Sequence, residues 1–94
     1  CLFLKDHKTG EEQHWWCGPV SSLQEPCFIP RGPAEGDGWI VMVCNRLEEQ
    51  RSDLLLFDAL EVGKGPIATI RIPIRLRFGL HGNWADAAEI GLAA

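Results

Sequence analysis

The residues with the most chemical reach in this sequence are His7, His14 and His81, the thiols of Cys1, Cys17, Cys27 and Cys44, and a scatter of carboxylates. His81 stands in Phe78-Gly79-Leu80-His81-Gly82-Asn83-Trp84, between two glycines and with an aromatic residue at each end. With so little side-chain bulk beside it, its imidazole can reach into a cavity, and neutral imidazole is the commonest metal ligand among side chains. The spacing supplies no second ligand, so a hydrogen-bonded turn histidine beside a packed Trp84 is the plainer reading of the same residues. His7 lies in the polar turn Asp6-His7-Lys8-Thr9-Gly10 and reads as solvated, and His14 reads as a surface or packing residue. The four cysteines form no Cys-x-x-Cys pair, which argues against a zinc ribbon. Their even number permits a disulfide framework, but reduced, half-buried thiols on strands of a cytoplasmic protein are the preferred reading.

The elements that must position these groups fit in one domain, since the chain has 94 residues. A chain of this size buries only about two-thirds of the surface its unfolded form exposes. It begins with Cys1 rather than Met, which suggests a fragment or a processed product. The net charge of −4, with both signs mixed throughout, excludes a general nucleic-acid binder. No apolar run approaches the ~20 residues of a membrane-spanning helix, and no charged-then-apolar start marks a signal peptide.

Residues 1–5 are apolar, residues 6–10 form a polar turn, and residues 13–17 resume an aromatic run, which together predict strand, tight turn, strand. Residues 18–24 read as a loop. Glu25-Pro26 opens a strand over residues 27–29 that Pro30 closes; prolines are tolerated at strand ends because no central ladder bond is lost there. The glycine-rich residues 31–38 form a loop that lacks the Lys-Ser/Thr of a phosphate cradle. Residues 39–44 are a continuous apolar run, expected to be a strand buried on both faces. Residues 45–53 are charged and read as a solvated hairpin loop. Residues 54–57 predict a second buried strand, and residues 58–66 a loop. Residues 67–78 alternate, with Ile70, Ile72, Ile74, Leu76 and Phe78 on one face and Arg71, Arg75 and Arg77 on the other. That period of two predicts a half-buried strand with a solvated arginine face, broken or edged at Pro73. About six short strands with turn signals between them indicate an all-β sandwich, barrel or propeller. At ~40–45 residues per propeller blade, the chain is about two blades long, too few to close a ring.

Several blocks stand in a fixed order: Glu25-Pro26-Cys27-Phe28-Ile29-Pro30-Arg31, Glu35-Gly36-Asp37-Gly38-Trp39-Ile40, Leu54-Leu55-Leu56-Phe57-Asp58-Ala59, Gly65-Pro66-Ile67-Ala68-Thr69-Ile70, Ile72-Pro73, and Phe78 to Trp84. In this order and spacing the chain resembles the C-terminal end of the carotenoid cleavage oxygenases. Its Gly79-Leu80-His81-Gly82-Asn83-Trp84 ending is especially similar to the lignostilbene dioxygenase branch. The resemblance covers residues 2–84. It implies that residues 1–84 are the C-terminal part of a seven-bladed β-propeller and residues 85–94 a tail. It implies a mononuclear non-haem iron(II), Fe2+, held by four histidines from separate blades, the last of which is His81. It places Glu25 behind that ligand, where a carboxylate on the second ring nitrogen would set the tautomer and raise basicity. Contact between Glu25 and His81 across adjacent strands is therefore expected.

The implied reaction takes dioxygen and an apolar alkene, a carotenoid, an apocarotenoid or a stilbene, and turns one carbon–carbon double bond into two carbonyls. The implied partner is the remainder of the parent chain, since three of the four histidines are missing here and a single imidazole cannot hold iron(II) in a working site. The ninety-four residues alone are expected to be inactive. The competing reading is a small all-β interaction module without metal. Such a module has no use for the glycine-flanked histidine and Glu25 together.

Overall fold

In a computed structural model the described residues are 1–91, and they are organised around two long antiparallel strands. Strand β1 (Leu2–Lys5) pairs with β2 (Glu12–Trp15) as a separate hairpin. Strands β3 (Ser21–Leu23), β4 (Cys27–Pro30), β5 (Gly38–Arg46), β6 (Arg51–Asp58) and β7 (Ala68–Ile72) form one antiparallel sheet. β3 and β4 lie end to end along the same edge of β5, β3 against Cys44 to Arg46 and β4 against Gly38 to Val41. Together they act as one interrupted strand. The sheet is thus four strands wide, in the order β3/β4, β5, β6, β7. The described strands make one four-strand-wide sheet and one separate two-stranded hairpin.

The apolar run over residues 39–44 becomes the centre of β5, as its β-branched and aromatic content leads one to expect. Its two faces differ. Ile40, Met42 and Cys44 share a face with Leu55 and Phe57 of β6, and the β1–β2 hairpin covers them with Leu2, Leu4 and Trp15. Val62, on a 3₁₀ turn at Val62–Lys64, closes the end of this core. Trp15 meets the wholly buried Phe57 edge to face, with ring centroids 5.2 Å apart, a geometry worth about 0.5–1.5 kcal/mol beyond area. Gln13 fastens the hairpin to the turn: its Nε2 donates to Leu60 O at 2.7 Å, and its Oε1 accepts from Gly63 N–H at 3.0 Å. Gly38 is obligatory at the start of β5, because a Cβ there would sit 2.1 Å from Ile29 O.

Four sequence expectations change. Residues 21–23, expected in a loop, form β3, because their backbone finds the free end of β5. Residues 45–53 are not a solvated loop: β5 and β6 run through most of them, leaving only 47–50 as the turn. Asn45, Ser52 and Asp53 are buried. Asp53 accepts from Arg46 Nε at 3.0 Å and from Arg51 Nε at 3.1 Å, so a charge that looks solvated in sequence is paired in the fold. Residues 67–78 are not one strand. β7 stops at Ile72, just before Pro73, which has no N–H to continue the ladder. Nor is β7 half-buried; it is an exposed edge, with Ile70 58% accessible. Within the 85–94 tail, Asp86 to Gly91 form a hydrogen-bonded turn; residues 92–94 lie outside the described residues.

Beyond β7 the chain leaves the sheet edge and crosses back over the face opposite the hairpin. Leu76 N–H donates to Ser52 Oγ on β6 at 2.8 Å. The segment then reaches the break between β3 and β4 at the far edge. This strap carries His81. No helix among the described residues is long and apolar enough to cross a membrane.

Candidate metal centre

The break between β3 and β4 has a local cause. Gln24 N–H still bonds Val43 O at 2.9 Å, but Pro26 has no N–H, so the ladder lapses over Glu25 and Pro26 before resuming at Cys27. Glu25 is consequently free of strand pairing, and its carboxylate turns to the strap. Nδ1 of His81 lies 2.7 Å from Glu25 Oε2. The two sequence-chosen residues are thus brought together. They do not meet across paired strands, however: each sits on irregular backbone, Glu25 in the strand break and His81 on the strap.

A proton on Nδ1 facing a carboxylate leaves the neutral ring with its lone pair on Nε2, the tautomer a metal ligand needs. The His81 side chain is 86% accessible, so Nε2 is open for a group supplied from outside this sheet. A cavity of about 210 Å³ lies beside it, between the strap and the sheet. Its walls include Val41, Val43 and Leu54 from the sheet, Cys27 from β4, and Asn83 and Trp84 from the strap. Trp84 Nε1 donates to Asp86 Oδ1 at 2.9 Å, which holds the indole at the strap's end.

The two other histidines behave as the plainer readings expect, whereas the cysteines are not all half-buried on strands: Cys1 is exposed and Cys17 lies past the end of β2. His7 is exposed, and His14 stacks on Phe3 with ring centroids 4.9 Å apart. All four cysteines are free thiols; Cys44 is buried, and burial pushes its thiol up to about 11. Among the described residues no group of three or more His, Cys, Asp or Glu side chains could hold a metal ion. The donor set therefore fits one imidazole ligand and its carboxylate support, with further ligands from elsewhere. Gln24 went unnoticed in the sequence. Its Nε2 donates to Arg77 O at 3.2 Å, and its Oε1 accepts from Gly79 N–H at 3.1 Å. Only its place beside Glu25 hints at this, because nothing local tells which backbone a glutamine will meet.

A four-stranded antiparallel sheet, with a hairpin packed on one face and a strap bearing the carboxylate-held His81 on the other, places the chain in the all-β class. The chain belongs to the family described as RPE65: Retinal pigment epithelial membrane protein, whose model matches residues 1–86. It is 55% identical over 91 residues to lignostilbene-alpha,beta-dioxygenase isozyme III of Sphingomonas paucimobilis, covering 95% of this chain and 19% of that one. The crystal structure of Pseudomonas brassicacearum lignostilbene dioxygenase superposes with a TM-score of 0.80 at 44% identity, over 86% of this chain and 17% of that one. The cobalt-substituted Synechocystis ACO superposes equally, TM-score 0.80 at 34% identity, over the same shares. The chain thus spans about a fifth of the length of the curated relative it matches. The similar solved proteins are seven-bladed propellers, and the all-β class and blade architecture expected from sequence hold.

Proposed function

We propose that this chain is the C-terminal part of a non-haem iron(II) dioxygenase that cleaves a carbon–carbon double bond to two carbonyls. The observation that carries the reading is the 2.7 Å contact between His81 Nδ1 and Glu25 Oε2. His81 offers Nε2 to the metal, and Glu25 keeps the proton on Nδ1 and the ring in one orientation. The metal's involvement is further supported by the cobalt-substituted form of a similar protein. Imidazole suits iron(II) and leaves the site its full cationic charge. When bound, iron supplies the activation of dioxygen, both of whose atoms enter the products. The remaining ligands come from the rest of the parent chain, so residues 1–84 complete a propeller domain, residues 85–94 form its tail, and the isolated segment is inactive.

A stilbene of the lignostilbene type is the preferred substrate within the carotenoid, apocarotenoid and stilbene classes, supported by the names of the two lignostilbene-cleaving relatives. Four free thiols support a reducing, cytoplasmic setting. The test is metal content and double-bond cleavage by the complete parent protein, wild type against His81→Ala. The variant is expected to lose both. Full retention of iron would refute the role given to His81.

A further inference from the structure

The strap is sparsely anchored. Among the described residues, its hydrogen bonds from Arg77 to Asn83 run through two adjacent side chains, those of Gln24 and Glu25, with Leu76 bonded to Ser52 before them and Trp84 to Asp86 after. The Gln24 carboxamide uses both ends. It donates to Arg77 O and accepts from Gly79 N–H, the pair of bonds a neighbouring strand would make to alternate backbone groups. Gly79 permits this approach: a Cβ on it would stand 3.1 Å from Gln24 Oε1. Gln24 is itself fixed to the sheet by its N–H bond to Val43 O at 2.9 Å.

The Glu25 carboxylate by contrast is hydrogen-bonded to the ring. A carboxylate can choose the rotation of an imidazole, but it cannot place the Cα of a residue flanked by Gly79 and Gly82, whose backbone freedom is large. Position and orientation of His81 are therefore divided between two consecutive residues. We propose that Gln24 is a positioning residue for the metal-ligating His81, setting where the ring stands through the backbone of residues 77–79 while Glu25 sets how it is turned. This rests on the reading of His81 as a ligand.

The test uses the complete parent protein loaded with cobalt(II) or iron(II). Gln24→Met keeps the length of the side chain and removes both hydrogen-bonding ends. It is expected to release metal into excess chelator about tenfold faster than wild type, at the lower end of what loss of an outer support costs. The visible absorption of the cobalt form is expected to shift, because ligand geometry sets it. Gln24→Glu retains an acceptor for Gly79 N–H, is expected to fall between Gln24→Met and wild type, and carries the test if Gln24→Met fails to fold. Wild-type release and an unchanged cobalt spectrum in the folded variants would overturn the proposal. So would a lowered Tm of the metal-free protein with the spectrum unmoved, because that marks a merely structural role. Metal loss in His81→Ala with wild-type behaviour in the Gln24 variants sinks this inference alone, whereas metal retention in His81→Ala sinks the ligand reading beneath it.

Discussion

Glu25 and His81 are 56 residues apart in the chain, yet the carboxylate Oε2 and the ring Nδ1 are 2.7 Å apart. Two features bring them together. Pro26 breaks the edge strand at Glu25, and Pro73 ends β7 so that the chain can cross the sheet. The contact is accessible, with 45% of the Glu25 side chain exposed, so its worth lies in aiming the ring more than in stability.

Removing that aim should weaken metal binding without unfolding the blade. In the parent protein, Glu25→Ala is expected to lower metal affinity about 10–100-fold, and Glu25→Gln by less, since an amide oxygen still accepts from Nδ1–H. Competition with a chelator measures both. Wild-type affinity in Glu25→Ala would remove the carboxylate from the site.

The isolated ninety-four residues are expected to retain no iron(II) through gel filtration, because one imidazole and one carboxylate support do not make a site. Stoichiometric iron carried through the column would contradict the division of ligands between this segment and the rest of the parent.

Phe57 is fully buried between the hairpin and the sheet, against Trp15. Phe57→Ala should cost about 3–5 kcal/mol in the parent protein, as transfer and cavity terms add. Denaturant unfolding measures it; a loss below 1 kcal/mol would mean that the hairpin does not pack as described.

Burial by itself would push the Asp53 carboxyl up, but the hydrogen bonds from Arg46 and Arg51 prevail and hold it below its ordinary value of 3.8. A carboxyl depressed in the folded state contributes stability above the unfolded value and loses it as pH falls through the folded one. Asp53→Asn should therefore destabilise the protein at pH 7, by roughly 2 kcal/mol given that both arginines are partly solvated. The difference from wild type should shrink below pH 3.8. Thermal unfolding across pH checks this; a gap that widens in acid would reverse the sign.

Cys44 combines burial with a thiol pushed up to about 11, whereas Cys1 is exposed. An alkylating reagent at pH 8 is expected to modify Cys1 and spare Cys44 in the folded protein, with all four cysteines labelled in denaturant. Peptide mass mapping reads the pattern. Early labelling of Cys44 would place it outside the core.

Much of this protein was legible from one dimension. The apolar runs that became β5 and β6 and the prolines that end strands express local rules of pleat and turn, which need no knowledge of distant partners. That is why the all-β class could be read from residues alone, whereas the choice of Glu25 and His81 came from the resemblance of the ordered blocks to the carotenoid cleavage oxygenases. Tertiary structure decided the rest. Whether Ser21–Leu23 is a strand depends on the free end of β5. Whether Asp53 is solvated depends on two arginines reaching it. The alternation over residues 67–78 is real in sequence, but a strand needs a partner for its backbone, and past Ile72 neither Pro73 nor the register with Ser52 provides one. Gln24 is the sharpest case: its two bonds reach 53 and 55 residues along the chain, and no local period encodes which carbonyl and which N–H a side-chain amide will find.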